Sequence, residues 1–342
     1  MKILIVGLGG IGQRHARNLR VVLGESVDLI AYRVRRLPHV ITPGLEADSS
    51  RKVEAEYKIR AFDDLSQALA EEPDAAFICN PTSLHLSVAQ MCAEHGCHLF
   101  IEKPLSHSLS GVHTLLETVK QRNLVAVVGY QFRFHPCLRA VTKLLSEQSI
   151  GRVLAVRAAV GEYLPGWHAY EDYKQIYASN AALGGGVILS QIHELDYLYS
   201  LFGLPRSIYS LGGHWSSLEI DVEDTASTLM DFLVDGRSVA VHLHQDYLQS
   251  PPNRQCEIIG ELGKIVVDFS SLRVTAPSFI QDFAGFERNQ LFVDETKHFL
   301  ACIEGRETPL VDLNAGIQSL RMALAAKESI ASGGAVELGS EF

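Results

Sequence analysis

The sequence is short of several features, and each shortage excludes a class of protein. Its 342 residues include 6 cysteines, none in a C-x-x-C pair, which argues for free thiols in a reducing compartment. No apolar run approaches the roughly 20 residues that a membrane-spanning helix needs. Basic residues are also few. The 30 Lys and Arg against 40 Asp and Glu give a net charge of −10, so neither nucleic acid nor an anionic membrane is expected as a partner.

The remaining composition is that of an ordinary globular protein. Hydrophobic residues make up 47% and charged residues 20%, which excludes disorder, collagen-like repeats and coiled coil. At roughly 100–200 residues per domain, the length predicts two domains. Met1 and Lys2 precede an apolar stretch that could pass for a signal peptide, but four glycines interrupt it and no clear cleavage site follows. We therefore interpret it as a strand and expect a cytoplasmic protein.

Two patterns divide the chain. In the first third, apolar strand-like runs alternate with helix-like stretches, which predicts a doubly wound parallel sheet. Later strands are longer, and Asp235-Gly236 marks a hairpin between two of them, which predicts a large, mostly antiparallel open sheet in an α+β domain. Val187–Phe202 is predicted as one helical stretch within this second part. The predicted domains are residues 1–130 and 131–342.

A glycine-rich run, Gly7-Leu8-Gly9-Gly10-Ile11-Gly12, follows the predicted strand Lys2–Val6 and opens a helix. This G-x-G-x-x-G pattern supplies a tight turn, close approach to a pyrophosphate, and close packing of the helix on the strand. The helix N-terminus adds N–H donors. The pattern predicts an N-terminal Rossmann domain, and a plain glycine turn is the alternative. The predicted cofactor contacts here are Gly7, Gly9, Gly10, Ile11 and Gly12.

The second strand ends in a basic sequence. An NAD-preferring site usually carries Asp or Glu there, about 20 residues after the fingerprint, to bind the ribose 2′-OH. This chain has Ala31-Tyr32-Arg33, followed by Arg35 and Arg36. Guanidinium groups without a carboxylate favour a 2′-phosphate, so Arg33 is predicted to bind cofactor and NADP(H) is favoured over NAD(H). A solvated basic loop is the alternative.

Further motifs follow in order along the chain. They are Asn80-Pro81-Thr82-Ser83-Leu84-His85, Glu102-Lys103-Pro104, Val128–Pro136, Gly184-Gly185-Gly186, His193-Glu194-Leu195-Asp196 and Glu223-Asp224-Thr225-Ala226. With the fingerprint, this set resembles the Gfo/Idh/MocA oxidoreductases, of the glucose–fructose oxidoreductase and inositol dehydrogenase type, over essentially the whole chain. The Glu-Lys-Pro triplet at a strand end is the most specific part of the resemblance.

Several of these motifs end predicted parallel strands, where open α/β sheets bind their ligands. Lys103 is predicted as the catalytic group that exchanges the hydroxyl proton, because a buried ammonium can have its pKa lowered toward neutrality. The resemblance also implies a cis bond between Lys103 and Pro104. The further predicted cofactor contacts are Asn80, Pro81, Thr82, His85, Glu102, Lys103 and Gln131.

A histidine follows the triple glycine. The resemblance implies that His193 is the acid/base partner of the lysine. The family pattern has an Asp one helical turn earlier, whereas this chain has Ser190 three and Leu189 four residues before the histidine. Glu194 and Asp196 are nearby carboxylates.

An aromatic segment, Gly161–Tyr173, leaves a predicted strand. Aromatic faces with polar rims suit sugar recognition, whereas loop packing at a dimer contact is the alternative. The predicted substrate contacts are Lys103, Arg133, Tyr163, Trp167, His168, Ser190 and His193.

The sequence thus predicts an NAD(P)-dependent oxidoreductase that interconverts a secondary alcohol and a ketone of a sugar, polyol or nucleotide-sugar derivative. A non-catalytic ligand sensor of the same fold, and an enzyme acting on an imine or an unsaturated ring, remain alternatives. No metal is expected, because His214, His242 and His244 lack further ligands at a recognisable spacing. The open sheet face predicts a homodimer or homotetramer.

Overall fold

The computed structural model describes residues 1–35, 37–168 and 170–339, so Arg36 of the predicted basic sequence lies outside the described residues. The chain separates into two compact units. The first contains Met1–Tyr130, His168–Asp172 and Asn289–Ile317. The second contains Gln131–Trp167, Tyr173–Arg288 and Gln318–Phe342.

Strands and helices alternate over residues 1–130, as the sequence predicts. The strands there are β1 (Lys2–Val6), β2 (Asp28–Tyr32), β3 (Val40–Ile41), β4 (Ala47–Asp48), β5 (Ile59–Phe62), β6 (Ala75–Ile78), β7 (His98–Glu102) and β8 (Ala126–Gly129). The helices there are α1 (Gly10–Leu23), α2 (Val53–Tyr57), α3 (Leu65–Leu69), α4 (His85–Glu94) and α5 (Val112–Gln121).

The first unit is built on a parallel sheet. Within the described residues it has six strands in the order β5-β2-β1-β6-β7-β8. Pairing of Val6 with both Tyr32 and Ile78, and of Glu102 with Gly129, brings the carboxyl ends of these strands to one edge. Side chains from both faces are buried, which explains the continuous apolar runs in the sequence. The expected doubly wound Rossmann sheet is confirmed.

The second unit carries longer strands. The strands after residue 150 are β9 (Val153–Gly161), β10 (Ser207–Gly213), β11 (Thr225–Val234), β12 (Arg237–Asp246), β13 (Asn253–Gly260), β14 (Gly263–Asp268), β15 (Arg273–Ala276), β16 (Phe279–Asp282) and β17 (Val336–Glu337). The helices after residue 130 are α6 (Pro136–Ser146), α7 (Val187–Ser190), α8 (His193–Phe202), α9 (Asn289–Ile303) and α10 (Leu313–Ser332).

These strands form one open sheet in the order β16-β15-β14-β13-β9-β12-β11-β10-β17. The β9–β12 pair is parallel and the other pairs are antiparallel, which confirms the mostly antiparallel sheet of the α+β domain. On β11 the side chains alternate. Met230 and Phe232 are buried, whereas Leu229 and Leu233 on the opposite face are exposed. This face of the sheet therefore carries exposed leucines within the chain.

The expectation of one continuous helix over Val187–Phe202 is wrong. The helix is interrupted at Gln191 and Ile192, between α7 and α8. Two side-chain contacts with β12 lie at this interruption. Gln245 donates to the main-chain oxygen of Gln191 at 2.8 Å, and Gln191 donates to the carbonyl of Asp246 at 2.9 Å. His193 therefore begins a helix, and Ser190 does not lie one turn before it on the same helix.

Three further observations concern the whole described chain. No helix in residues 1–35, 37–168 or 170–339 is long and apolar enough to cross a membrane. The same residues contain no group of three His, Cys, Asp or Glu side chains arranged to hold a metal ion. All six cysteines are buried and free.

Candidate active site

The glycine fingerprint forms a tight turn between β1 and α1. Gly7 has a φ of +89°, and an added Cβ would lie 3.0 Å from the carbonyl oxygen of Cys79. A Cβ on Gly12 would collide with the carbonyl oxygen of Gly7. Gly9 faces open space, with nothing within 4 Å of an added Cβ. The turn therefore packs tightly on the sheet and leaves its backbone accessible at Gly9, as pyrophosphate binding requires.

Arg33 directly follows β2 and is only 3% exposed. Its Nη1 donates to Oε1 of Glu54 at 2.5 Å, and its Nη2 donates to the carbonyl of Leu37 at 2.9 Å. A carboxylate from α2, that of Glu54, therefore lies beside the end of β2. The guanidinium is engaged within the unit, and its predicted contact with a cofactor phosphate stays a prediction.

Two of the predicted cofactor motifs are joined by His85. The ring Nδ1 lies 2.8 Å from the carbonyl of Pro104, and Nε2 lies 2.9 Å from the carbonyl of Asn80. Burial lowers the pKa of this histidine, and its hydrogen bonds with the two carbonyls oppose that shift. His85 is buried and ties the two loops together. Thr82, from the same motif, is also buried. Oδ1 of Asn80 is buried and has no hydrogen-bond partner among the described residues.

Glu102 ends β7 immediately before Lys103. Its Oε1 lies 2.7 Å from Nε2 of His15, and its Oε2 accepts from the main-chain N–H of Lys103 at 3.2 Å. Because a carboxylate can only accept here, the histidine proton lies on Nε2. The Lys103–Pro104 bond is cis, as the resemblance implies. Lys103 is partly exposed rather than buried, in contrast to the expected buried ammonium.

In the second unit, Gln131 and His193 are neighbours. Nε2 of Gln131 lies 3.2 Å from Nε2 of His193, and the ring of Phe132 stacks on the imidazole at a centroid distance of 4.9 Å. Both polar side chains are buried. Oε1 of Gln131 is buried with no partner in the part of the chain that the structure describes. The imidazole is therefore held between an amide and an aromatic ring.

The two carboxylates next to His193 in sequence have other partners. The carboxylate of Glu194 accepts hydrogen bonds from Nε and Nη2 of Arg254, at 2.7 and 3.1 Å. The carboxylate of Asp196 accepts hydrogen bonds from Nε and Nη2 of Arg133, at 2.6 and 2.9 Å. Burial raises the pKa of both carboxyls, and the arginines partly offset this. Neither carboxylate orients the imidazole by these contacts, and Arg133 is engaged inside its own unit.

The aromatic segment divides between the two units. Tyr163 is 46% exposed, and Trp167 packs edge-on against Tyr247 at 5.3 Å in the second unit. His168 belongs to the first unit, where it stacks on Tyr170 at 5.2 Å. Ser190 is buried, and its hydrogen bond with Tyr247 opposes the burial that raises the pKa of that tyrosine. The sequence shows that aromatic residues are concentrated in this segment, but it does not show which of them belong to which unit.

Sequence reasoning missed two residues of these clusters. His15 is 87 positions from Glu102 and gave no local signal. Arg254 did give a local sequence signal, because its side chain lies on the same face of β13 as the buried Cys256 and Ile258. A charged residue in an apolar stripe indicates a buried partner, here Glu194.

Two of the three histidines considered for a metal have ordinary hydrogen-bond partners. Nδ1 of His244 lies 2.8 Å from Oγ of Ser227, and Nε2 of His214 lies 2.8 Å from the carbonyl of Leu218.

Two family models match the chain. One, described as an oxidoreductase family with an NAD-binding Rossmann fold, matches residues 1–130. The other, described as the GFO/IDH/MocA C-terminal domain, matches residues 138–266.

Similar proteins cover nearly the whole chain. The myo-inositol 2-dehydrogenase of Thermotoga maritima is 25% identical over 99% of this chain and 98% of its own length. The scyllo-inositol 2-dehydrogenase (NAD⁺) of Bacillus subtilis is 25% identical over 99% and 96% of the two chains. The WlbA dehydrogenase of Bordetella pertussis, solved with NADH and UDP-GlcNAcA, superposes with a TM-score of 0.80 at 23% identity, covering 100% of this chain and 99% of that one.

Proposed function

Because the chain belongs to the Gfo/Idh/MocA oxidoreductase family, we propose that it is an NAD(P)-dependent dehydrogenase acting on a secondary alcohol of a sugar, polyol or nucleotide-sugar derivative. The observation that carries the proposal is Lys103. It follows β7 at the carboxyl edge of the parallel sheet, the edge that also carries the glycine fingerprint. A proton-exchanging ammonium at that edge is what hydride transfer to or from a hydroxyl carbon requires.

The first unit offers a fitting cradle for a dinucleotide. The turn is shaped by Gly7 and Gly12, and Gly9 has open space in front of its backbone. The N-terminus of α1 adds N–H donors and a favourable dipole end for a pyrophosphate. The unpartnered Oδ1 of Asn80 is a ready acceptor for a ribose hydroxyl or a carboxamide. The proposed cofactor contacts are Gly7, Gly9, Gly10, Ile11, Gly12, Arg33, Asn80, Pro81, Thr82, His85, Glu102, Lys103 and Gln131.

The chemistry is divided between cofactor and protein. When bound, the nicotinamide supplies or accepts the hydride. Lys103 and His193 exchange the hydroxyl proton, and Glu102 and Gln131 act as positioning residues for them through the contacts described above. The proposed substrate contacts are Lys103, Arg133, Tyr163, Trp167, His168, Ser190 and His193.

The cofactor proposed is NADP(H) in preference to NAD(H). No acidic residue ends β2, and Arg35, which is exposed, remains a candidate for a 2′-phosphate. Glu54 beside Arg33 opposes this preference because its carboxylate neutralises one guanidinium. The proposal is therefore tested by the dissociation constants of NADPH and NADH, and tighter binding of NADH would contradict it.

We also propose the remaining properties of the protein. Residues 1–130 form the cofactor domain, and residues 131–342 form the substrate-binding and oligomerisation domain. A homodimer or homotetramer forms through the open sheet face, whose exposed apolar side chains are Tyr209, Leu211, Leu229 and Leu233. The free cysteines and the nicotinamide cofactor support a cytoplasmic location.

The function is tested by presenting purified protein with inositols, sugars and nucleotide sugars, each with NAD⁺ and NADP⁺, and following nicotinamide absorbance. Turnover of one substrate class, abolished in Lys103→Met, supports a dehydrogenase. Cofactor and sugar binding without turnover across the panel supports the ligand sensor instead. The similar proteins named above are dehydrogenases, and this chain carries both Lys103 and His193, so the enzyme is favoured.

A further inference from the structure

A short segment from the aromatic stretch lies against the glycine fingerprint. His168–Asp172, which we name the strap, clusters with the first unit although it follows Trp167 of the second. The structure describes residues 168 and 170–172 of it. The hydroxyl of Tyr170 occupies the position that a Cβ on Gly10 would need. A side chain from more than 150 residues further along the chain therefore touches the first residue of α1.

The strap is anchored by rings and a turn. Tyr170 stacks on His168 at 5.2 Å and meets His39 edge-on at 6.2 Å. The main-chain N–H of Glu171 donates to the carbonyl of His168 at 3.0 Å. Tyr170 and Glu171 thus have defined positions beside the phosphate turn.

Glu171 is paired with the basic sequence after β2. Its Oε2 lies 2.8 Å from Nη2 of Arg35. The carboxylate side chain is 11% exposed, whereas the arginine side chain is 61% exposed. A ligand phosphate can therefore reach the Arg35 guanidinium from solvent. There it meets the largely buried Glu171 carboxylate, which already binds the same guanidinium.

From these contacts we propose that the strap contributes to discrimination between NADP(H) and NAD(H), with Glu171 as a residue that determines this cofactor specificity. The inference rests on the proposed binding of a nicotinamide dinucleotide at the fingerprint. A 2′-phosphate that binds Arg35 has to compete with the Glu171 carboxylate and is repelled by it. A 2′-hydroxyl has no such competition. Glu171 therefore weakens binding of NADP(H) relative to NAD(H), whichever of the two the wild-type protein prefers.

Tyr170 has a different part in the strap. Burial, with a smaller contribution from Glu171, raises its pKa to about 12, so the phenol stays protonated. A protonated hydroxyl against Gly10 is positioned to donate to a pyrophosphate at the N-terminus of α1. Both cofactors carry that pyrophosphate, so Tyr170 contributes to affinity without discriminating between them.

The test measures dissociation constants of NADPH and NADH for the wild type, Glu171→Gln and Tyr170→Phe. Glu171→Gln is expected to tighten NADPH about fivefold and to change NADH less than about twofold, with a smaller difference at high salt. Tyr170→Phe is expected to weaken both cofactors by a similar factor, about threefold to tenfold. The control is Glu261→Gln, which makes the same substitution in an ion pair of the second unit, with Arg152.

An unchanged NADPH-to-NADH ratio in Glu171→Gln overturns the specificity proposal, and unchanged affinities in Tyr170→Phe overturn the pyrophosphate contact. Arg35→Gln provides an independent arm, because it removes the competition for the guanidinium, so Glu171→Gln should then change the ratio less than it does with Arg35 present. Failure of the proposed NADP(H) preference is seen separately, in the wild-type constants alone. Absence of any nicotinamide binding contradicts both proposals, whereas a shifted ratio with wild-type preference for NADH contradicts only the cofactor preference.

Discussion

Nε2 of His15 lies 2.7 Å from Oε1 of Glu102, and both side chains are buried. His15 lies on α1, the helix that begins at the phosphate turn, and Glu102 precedes Lys103 at the end of β7. One hydrogen bond therefore links the helix of the cofactor cradle to the strand that carries the proposed proton-exchanging lysine. The rings of Phe77 and Phe100, at 5.2 and 4.9 Å, hold the imidazole in place.

The first prediction concerns this link. His15→Phe keeps an aromatic ring between Phe77 and Phe100 but leaves Oε1 of Glu102 without its donor. An unpaired buried acceptor costs about 1–3 kcal/mol, so kcat/KM should fall about tenfold while the fold persists. The same change at the exposed His113 is the control. The double variant tests the coupling. If adding His15→Phe to Glu102→Gln lowers kcat/KM by the same factor again, the two residues act independently, contrary to the prediction.

The second prediction concerns Lys103. Lys103→Met keeps the length of the side chain and removes the exchangeable proton, so kcat should fall at least about 1000-fold, as for loss of a general acid–base group. Cofactor dissociation constants should change less than about threefold, because the fingerprint and α1 supply most of the binding. Lys120→Met, on the exposed face of α5, is the matched control. Turnover near the wild-type rate would remove the lysine from the mechanism.

The parallel sheet could be predicted from sequence because its apolar strands and glycine turn are local patterns. The fingerprint spans only residues 7–12, and each glycine has a backbone reason that the structure reproduces. The break between α7 and α8 could not be predicted, because it depends on Gln245, more than 50 residues away. Helical periodicity continues through Gln191, whereas the contact between its carbonyl and the amide of Gln245 is visible only in the fold.

The arginines show the same limit. Arg33 and Arg133 are predicted to contact ligands, because the sequence shows each guanidinium but not the carboxylate that pairs with it. Glu54 and Asp196 provide those carboxylates from other elements of the fold. The strap shows a further contact that the sequence does not reveal. A segment assigned to substrate contacts places Tyr170 against Gly10 of the fingerprint.

The third prediction concerns the pair of Gln131 and His193. His193→Ala should lower kcat about 100-fold and change the pH profile, because one acid–base partner is lost. Gln131→Leu keeps the volume and removes the amide 3.2 Å from Nε2, so it should lower kcat about tenfold and move the pH profile in the same direction. Gln90→Leu, on α4 in the first unit, is the control. If the pH profile of Gln131→Leu matches the wild type, the glutamine does not position the histidine.

The fourth prediction concerns the open sheet face. Leu229 is 52% exposed and pairs in register with Tyr209 on the neighbouring strand. Leu229→Glu should weaken self-association about tenfold or more, because an unpaired carboxylate would be buried in the proposed interface. Light scattering across a concentration series measures the change. Leu262→Glu, at a 71% exposed turn residue, makes the same substitution away from that face, so an equal effect there would exclude the interface.

The fifth prediction concerns His135, which caps α6 by accepting the N–H of Cys137 at 3.2 Å. Burial, with a smaller contribution from Arg254, lowers its pKa from 6.5 to about 4. Between these values the unfolded chain binds the proton and the folded chain does not, so the free energy of unfolding falls as the pH falls from 6.5 towards 4.

From pH 7 to pH 5 the loss due to His135 amounts to about 2 kcal/mol. His135→Asn keeps a capping acceptor and removes the titrating group, so its free energy of unfolding should depend on pH less than that of the wild type by this amount. Denaturant unfolding at the two pH values measures the difference, with His113→Asn as the exposed control. Equal pH dependence in His135→Asn and the wild type would mean that the buried imidazole takes up its proton without opposing the fold.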